Sequence, residues 1–327
     1  MTIRDVAARA GVSPATVSRV FTQPDAVAPD TRRRVLDAAE ELRYTPNPVA
    51  RSLARRRTGN LGIVVPDIAN SYSAMIIKAV QLEARHAGYA LFVAASEELL
   101  DDEERVARAL APQVDGLLLA SPLGTDAYLR ELAELVPVVV TNRLVDGVSA
   151  VVAESAETTG HAVEHLHALG HRDIAYLAGP DGYSNTRRLA GLRDAGDRLG
   201  LRPVVLGPFP ARFSSGVRAA DLVLAAGVTA VVAFNDDIAA GLLNRFADRG
   251  VRVPDHVSVV GHDDTALAEM VTPRLTTVHI PAGAAGVTAA QMLITQLRGD
   301  NGAPRRSELS SELIVRGSTG PAPARPA

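Results

Sequence analysis

Several residues in the first 60 positions have the right types and spacing for chemistry on nucleic acid. Ser13 followed by Pro14 is a helix-start signal, because a serine hydroxyl caps unpaired amides and proline loses nothing at the first helical position. Soon after comes Arg19, whose guanidinium is the one side chain here able to grip guanine through two hydrogen bonds. Ala15 and the methyl of Thr16 suit the methyl group of thymine, and Ser13 with the helix start suits a phosphate. Arg51, Arg55, Arg56 and Arg57 form a run that can neutralise phosphates. A different chemistry is spelled by His161-Ala-Val-Glu-His165: on a helix His161 and His165 share a face, as zinc ligands do, with Glu164 beside them.

Short helices must position the first group. Thr2 caps a helix over residues 3–10 with Asp5 at its third position, Gly11-Val12 break it, and a second helix runs from 14 to about 21. A third, over about 30–42, turns Val35, Leu36, Ala39 and Leu42 to one side, and Val6, Ala10, Val12, Val17 and Val20 complete a small core. A helix, a tight glycine-containing turn and a second helix make a helix-turn-helix. Asn47-Pro48 starts another helical pattern, but 49–57 is too short to be stable alone and reads as a linker that orders on a partner.

From residue 61 onward, apolar runs at 61–65, 89–94, 116–119, 136–140, 150–152, 174–177, 204–206, 230–234 and 257–260 alternate with helical patterns. That alternation specifies a parallel, doubly wound α/β body of two lobes, with a cleft at the carboxyl ends of the strands. The expected organisation is an all-α helix-turn-helix domain (1–45), a linker (46–60), a two-lobed body (61–316) and a disordered Pro- and Ala-rich tail (317–327). The break between lobes falls near 155–160. A helix at 281–298 and a strand at 313–316 return to the first lobe, which then comprises 61–154 plus 281–316 and leaves 155–280 to the second.

Composition narrows the function classes. The chain has 327 residues and no cysteine, so disulfides, zinc-thiolate sites and cysteine nucleophiles are excluded. It contains no run of about 18 uncharged apolar residues and starts Met-Thr-Ile-Arg-Asp, without an apolar secretory segment, so a soluble cytoplasmic protein with no membrane partner is expected. The first 60 residues hold 11 arginines against six acidic residues, whereas the whole chain has a net charge of −3. A basic head on an acidic body predicts a polyanionic partner for the head.

The stretches TIRDVAARAGVSPATVSRV (2–20), YTPNPVARSL (44–53) and LGIVVPDI (61–68) resemble the lactose-repressor (LacI) family. So do Asn235-Asp236, VVGHDD (259–264) and PRLTTV (273–278), in the family's order and over nearly the whole chain. The resemblance implies a dimeric transcriptional regulator, most simply a repressor, with a periplasmic-binding-protein-like body that senses a small molecule. It implies that residues 49–55 form a hinge helix on a pseudo-palindromic operator. Leu53 would wedge into a minor-groove step, with Ala50 packed beside it and Arg55 on phosphate; an apolar wedge of this kind kinks the duplex at a cost of a few kcal/mol.

For the body, the resemblance implies that Arg188, Asp263 and Asn235 face the effector, joined by Asn142 (where an aspartate is common), Tyr72 and Ser184. An arginine, an aspartate and two amides suit neighbouring hydroxyls, so a sugar or sugar-like effector is expected, with a purine or nucleoside as the alternative. Each residue also has a structural explanation: Asn235 as a helix cap, Asp263 as a loop cap, Tyr72 as core, Arg188 as the partner of a carboxylate. Phe209 or Phe213 would supply a second aromatic wall. Asn70-Ser71-Tyr72 departs from the family's frequent Asn-Pro-Phe, and His262 stands at a usually aromatic position, so both leave the effector open.

Rival readings are weaker. The H-x-x-E-H segment lies on a connecting helix without an identifiable third ligand, which argues against a zinc-dependent hydrolase. No G-x-G-x-x-G follows a strand, as a dinucleotide site needs, and a transport receptor would have no basic head. Neither an enzyme nor a cofactor nor a metal is expected. No leucine heptad follows Arg316, so a dimer is expected rather than a tethered tetramer.

Overall fold

Helix caps and one glycine turn shape the amino-terminal unit. In the computed structural model, which describes residues 1–44, 57–299 and 302–324, the chain divides into two compact units, Met1–Thr58 and Gly59–Ala327. Helix α1 (Ile3–Ala10) starts where the Thr2 amide donates to the Asp5 carboxylate over 2.8 Å. It ends at Gly11, whose φ of 64° is a left-handed conformation that glycine adopts without steric cost. Helix α2 (Pro14–Thr22) is capped by the Ser13 hydroxyl, which accepts from the Thr16 amide over 3.1 Å. Helix α3 (Pro29–Glu41) closes the unit over a core of Val6, Ala7, Ala10, Val17, Val20, Val35, Ala38 and Ala39. Two details differ from the expected pattern: Leu36 is 41% exposed on the outer side of α3, and Val12 is only half-buried at the edge of the core.

All nine expected strands of the body form. The first lobe carries β1 (Asn60–Val65), β2 (Ala90–Ala95), β3 (Gly116–Ala120), β4 (Val138–Thr141) and β5 (Ser149–Ala153). The second carries β6 (Ile174–Leu177), β7 (Val204–Leu206), β8 (Ala230–Ala233), β9 (Ser258–Asp263) and β10 (Thr276–His279). Two late strands follow, β11 (Arg306–Leu309) and β12 (Glu312–Ile314). The helices are α4 (Ser71–His86), α5 (Leu100–Leu110), α6 (Asp126–Leu135), α7 (Ala156–Ala168), α8 (Tyr183–Leu199), α9 (Phe213–Ala225), α10 (Asp236–Asp248), α11 (Ala266–Met270) and α12 (Ala282–Leu297). Among the described residues, no helix is long and apolar enough to cross a membrane.

The first sheet runs β11-β5-β4-β3-β1-β2 and the second β12-β10-β9-β8-β6-β7. All pairings are parallel except β12 with β10. Both lobes therefore have the same doubly wound order, with strand order reversing between β1 and β3 and between β6 and β8, where such folds bind ligands. Covered on both faces, β3 and β8 read as unbroken apolar runs, as parallel strands do.

The chain passes between lobes three times, and the last passage corrects the sequence reading. Helix α12 does return to the first lobe, packing against α4. The strand expected with it at 313–316 is instead β12, which pairs antiparallel with β10 in the second lobe. Its place in the first sheet is taken by β11, whose polar Arg-Ser-Glu-Leu sequence hides an edge strand. The first and third passages are tied together: the Ser311 hydroxyl donates to the Glu154 carbonyl, and Thr158 and Ser311 hydroxyls lie 2.6 Å apart.

The segment expected to be a disordered tail is also docked as far as it is described. Ser318 is fully buried, donating to the Val259 carbonyl over 2.6 Å and accepting from the Thr276 amide over 2.8 Å. The Ala322 amide donates to Leu169. Proline and alanine are poor strand formers, but the backbone and Ser318 satisfy polar groups of β9 and β10 that would otherwise be buried unpaired.

Candidate functional site

In the amino-terminal unit, Ser13, Pro14, Ala15 and Arg19 are exposed and Thr16 is half-buried, while Val17 and Val20 face the core. The start of α2 thus presents the expected side chains on one outer surface, with the Ser13 and Thr16 hydroxyls 2.9 Å apart. Ala50, Leu53 and Arg55 lie outside the described residues.

In the body, Tyr72, Asn142, Ser184, Arg188, Asn235 and Asp263 all line one cavity between the lobes. Each comes from the carboxyl end of a strand or the first two turns of the helix that follows it. The cavity also takes Asn70, from the departing Asn70-Ser71-Tyr72 motif, and Glu98, Ser121, Tyr183, Asn185 and Phe234, which sequence reasoning did not single out.

The first lobe contributes a neutral network. Asn70 caps α4 by accepting from the Tyr72 and Ser73 amides, which fixes Tyr72 one residue into the helix. The Asn142 side-chain amide donates to the Tyr72 hydroxyl over 2.9 Å and to the Ser121 hydroxyl over 3.1 Å. Burial pushes the Tyr72 hydroxyl up to about 12, so it remains protonated. Tyr72 is therefore core-packed and pocket-lining at once.

The second lobe contributes charge. From α8, Arg188 donates to Asp263 over 3.1 Å and to the Phe234 carbonyl, and its guanidinium lies 4.4 Å from the centre of the Phe234 ring. Both partners of the ion pair are more than nine-tenths buried, and Arg188 Nε has no hydrogen-bond partner among the described residues. Phe234 owes its place to Gly179, where a Cβ would come within 2.3 Å of the ring. The aromatic walls are Tyr72, Tyr183 and Phe234. Neither Phe209 nor Phe213 lines the cavity: Phe209 packs against the second-lobe core and Phe213 is 45% exposed at the start of α9.

Asn235 caps α10 by accepting from the Ile238 amide over 2.9 Å, and its amide donates to the Ala211 carbonyl over 3.2 Å. The structural explanation weighed for it is realised, yet it still borders the cavity. Asp263 sits where β9 ends in a left-handed turn, with φ of 105° followed by 53° at Asp264. Ser121, Asn142 and Glu98 also line the cavity with positive φ. Non-glycine residues in such conformations cost about 1–3 kcal/mol each and cluster at functional sites.

Carboxylates crowd beneath this turn. Burial pushes Asp263 up to about 6 although Arg188 pulls the other way. Asp236 is fully buried; it accepts from the Thr265 amide over 2.7 Å and the Thr277 hydroxyl over 2.6 Å, and burial, then the charge of Asp263, push it up to about 8. It anchors the loop that aims Asp263, a role invisible in sequence because Thr265 and Thr277 lie far along the chain. His262, fully buried, is held neutral by burial and by Arg188.

The H-x-x-E-H side chains are engaged elsewhere. Glu164 pairs with Arg198 at 2.6 Å, the His165 ring nitrogen lies 3.0 Å from the Thr319 hydroxyl, and His161 lies 3.9 Å from Glu157. Among the described residues no group of three or more His, Cys, Asp or Glu side chains is placed to hold a metal ion.

Comparison with known proteins gives the same architecture. Residues 2–47 match the bacterial regulatory proteins of the lacI family, and residues 163–319 match the periplasmic binding protein-like domain. The HTH-type transcriptional repressor PurR of Photobacterium profundum is 35% identical over 97% of this chain and 98% of its own length. The lac repressor dimer bound to operator and an anti-inducer superposes with a TM-score of 0.85 at 30% identity, covering 98% of this chain and 99% of that one. The regulator CelR in complex with cellobiose is 33% identical, with a TM-score of 0.71 over 97% of this chain and 99% of that one. The chain belongs to the lacI family of bacterial transcriptional regulators, with a helix-turn-helix DNA-binding head and a periplasmic-binding-protein-like body.

Proposed function

We propose that the protein is a homodimeric repressor that grips a pseudo-palindromic operator and is controlled by a sugar held in the cleft. The observation that carries this reading is the pair of Arg188 from α8 with Asp263 at the end of β9, buried yet bordering the cavity, with Asn142 of the other lobe lining the same cavity. Hydroxyl groups both donate and accept, so a polyol satisfies a guanidinium, a carboxylate and an amide together, while its C–H face covers Tyr72, Tyr183 or Phe234. Asp263 and Glu98 already engage Arg188 and Arg212, and Asp181 adds a further negative charge to the lining, which favours a neutral ligand over a phosphorylated one. CelR binds cellobiose, which supports the same class. The aromatic lining also suits a planar base, so a purine or nucleoside is the second reading.

In the head, Arg19 would read guanine while Ser13, Pro14, Ala15 and Thr16 set the register on the duplex, and Ala50, Leu53 and Arg55 would engage the minor groove. Dimerisation is supported by the free sheet edges β2 and β7, which expose Phe92 and Val93 in one lobe and Val204 and Val205 in the other. A symmetric pair then places two heads on two half-sites. The effector acts only as far as its affinities for the two lobe arrangements differ.

The test is selection of genomic fragments by the full-length protein, followed by thermal shift and operator titration with neutral sugars, sugar phosphates and nucleosides. A neutral sugar should raise the melting point and change operator affinity; stabilisation by nucleosides alone selects the second reading, and no preference for any fragment sinks both. Arg19→Ala should relax base preference at one operator position. A uniform loss across sequences would reduce Arg19 to a phosphate contact.

A further inference from the structure

The loop between β7 and α9 crosses from the second lobe to the first at one end of the cavity. Its Ala211 amide donates to the Glu98 carboxylate over 3.1 Å, and Arg212 lies 3.6 Å from the other Glu98 oxygen. The Ala211 carbonyl accepts from Asn70 of the first lobe over 3.1 Å and from Asn235 of the second over 3.2 Å. One residue is thus held through both its backbone groups by side chains of the opposite lobe. Nearby, the Ser71 hydroxyl reaches Asp237 across the lobes at 3.3 Å.

On the Glu98 side the backbone is strained, with φ of 52° at Glu97 and 60° at Glu98. The Glu98 side chain is only 12% exposed and reaches the second lobe through Ala211 and Arg212. Glu98, Asn70, Ala211 and Asn235 all border the cavity as well.

We propose that Glu98 is a positioning residue, an interlobe clasp on the Ala211 amide that closes one end of the effector cavity and holds the lobes together. The inference rests on the cleft being the effector site. Holding the lobes at this end fixes the spacing of Asn142 and Tyr72 from Arg188 and Asp263. An occupant extending to this end must share Glu98 or displace it, so clasp strength and effector shape are thermodynamically linked.

The chain has no cysteine, so Glu134→Cys and Asp248→Cys, both at exposed positions, give one spin label per lobe of each protomer on the otherwise intact full-length protein, and excess unlabelled protein isolates the distance within one protomer. Distances are recorded without any small molecule. Glu98→Ala should lengthen or broaden the interlobe distribution by more than about 2 Å, the scale of a domain rearrangement. Glu98→Gln, which keeps an oxygen to accept from Ala211, should restore it. If Glu98→Ala does not fold, Glu98→Met, similar in size and without an oxygen, serves the same comparison. A distribution unchanged by loss of the carboxylate overturns the clasp, as does opening by Glu98→Gln as wide as by Glu98→Ala. Failure of every sugar to bind would count against the effector reading and leave these distances as an independent test.

Discussion

Opposite the arginine, the first lobe meets the cleft with neutral hydrogen-bonding groups, Asn142 donating to both Tyr72 and Ser121, while its carboxylate at the end of the cavity, Glu98, is taken up by the Ala211 amide. The second lobe, built on the same strand order, meets it with a buried ion pair and a ring beneath a guanidinium, backed by the buried carboxylates of Asp236 and Asp237. A neutral network tolerates loss of a member because each hydrogen bond contributes about 0.5–1.5 kcal/mol. A buried ion pair does not, because removing one partner strands the other charge at a cost of about 3–5 kcal/mol. The lobes are thus alike in topology and unlike in what they risk. The second lobe carries the energetic weight of the site and the first its shape.

The largest effect expected from that difference is Asp263→Ala. It strands Arg188 and should lower stability by about 3–5 kcal/mol, with loss of sugar binding in calorimetry. Asp263→Asn, which keeps the shape and an acceptor, should recover most of the stability and little of the binding. If Asp263→Ala melts like the parent protein, the pair is not the strong element described. A smaller effect is expected from Asn142→Gly, which removes the amide and accepts the left-handed φ of 51° without strain. It should cost about 1–2 kcal/mol and weaken sugar binding about tenfold, read by the same titration; a loss as large as that of Asp263→Ala would erase the contrast between lobes.

The third test uses pH. Asp236 has a folded pKa of about 8 against an ordinary value near 3.8, so its contribution favours the fold at low pH and fades as pH rises from about 4 through about 8. Asp236→Asn keeps an acceptor for Thr265 and places an amide against the Thr277 hydroxyl. It should raise the melting temperature by a few degrees at pH 8 and much less at pH 5, given about 2–4 °C per kcal/mol in domains of 150–250 residues. Equal shifts at both pH values would mean that Asp236 does not take up a proton in the folded state.

Much of this was legible in the sequence where contacts are local. Ser13-Pro14, Gly11 and the apolar spacing of α1 and α2 specify the head, because caps, turns and helix faces are set within a few residues. The nine apolar runs give β1–β9 for the same reason, whereas β10, whose Thr-Thr-Val-His sequence is half polar, was not read as a strand. The six pocket residues came from resemblance, and the structure gathers all of them around one cavity. Missed were elements defined by partners far away: β11, too polar to announce itself; β12, apolar enough to notice but assigned to the wrong sheet; and the docked tail, whose role rests on Ser318.

The pocket divides the same way. Amino-acid order by itself determined the fold class, the basic head and the side chains available at the strand ends. Only the tertiary structure decided that Phe234, not Phe209 or Phe213, lies under the arginine. It also decided that Asp236 is buried behind Asp263 and that Glu98 reaches the opposite lobe. Helix and strand signals are short-range and additive along the chain, whereas burial of charge and closure of a cleft depend on which distant segments the sheets bring within about 4 Å.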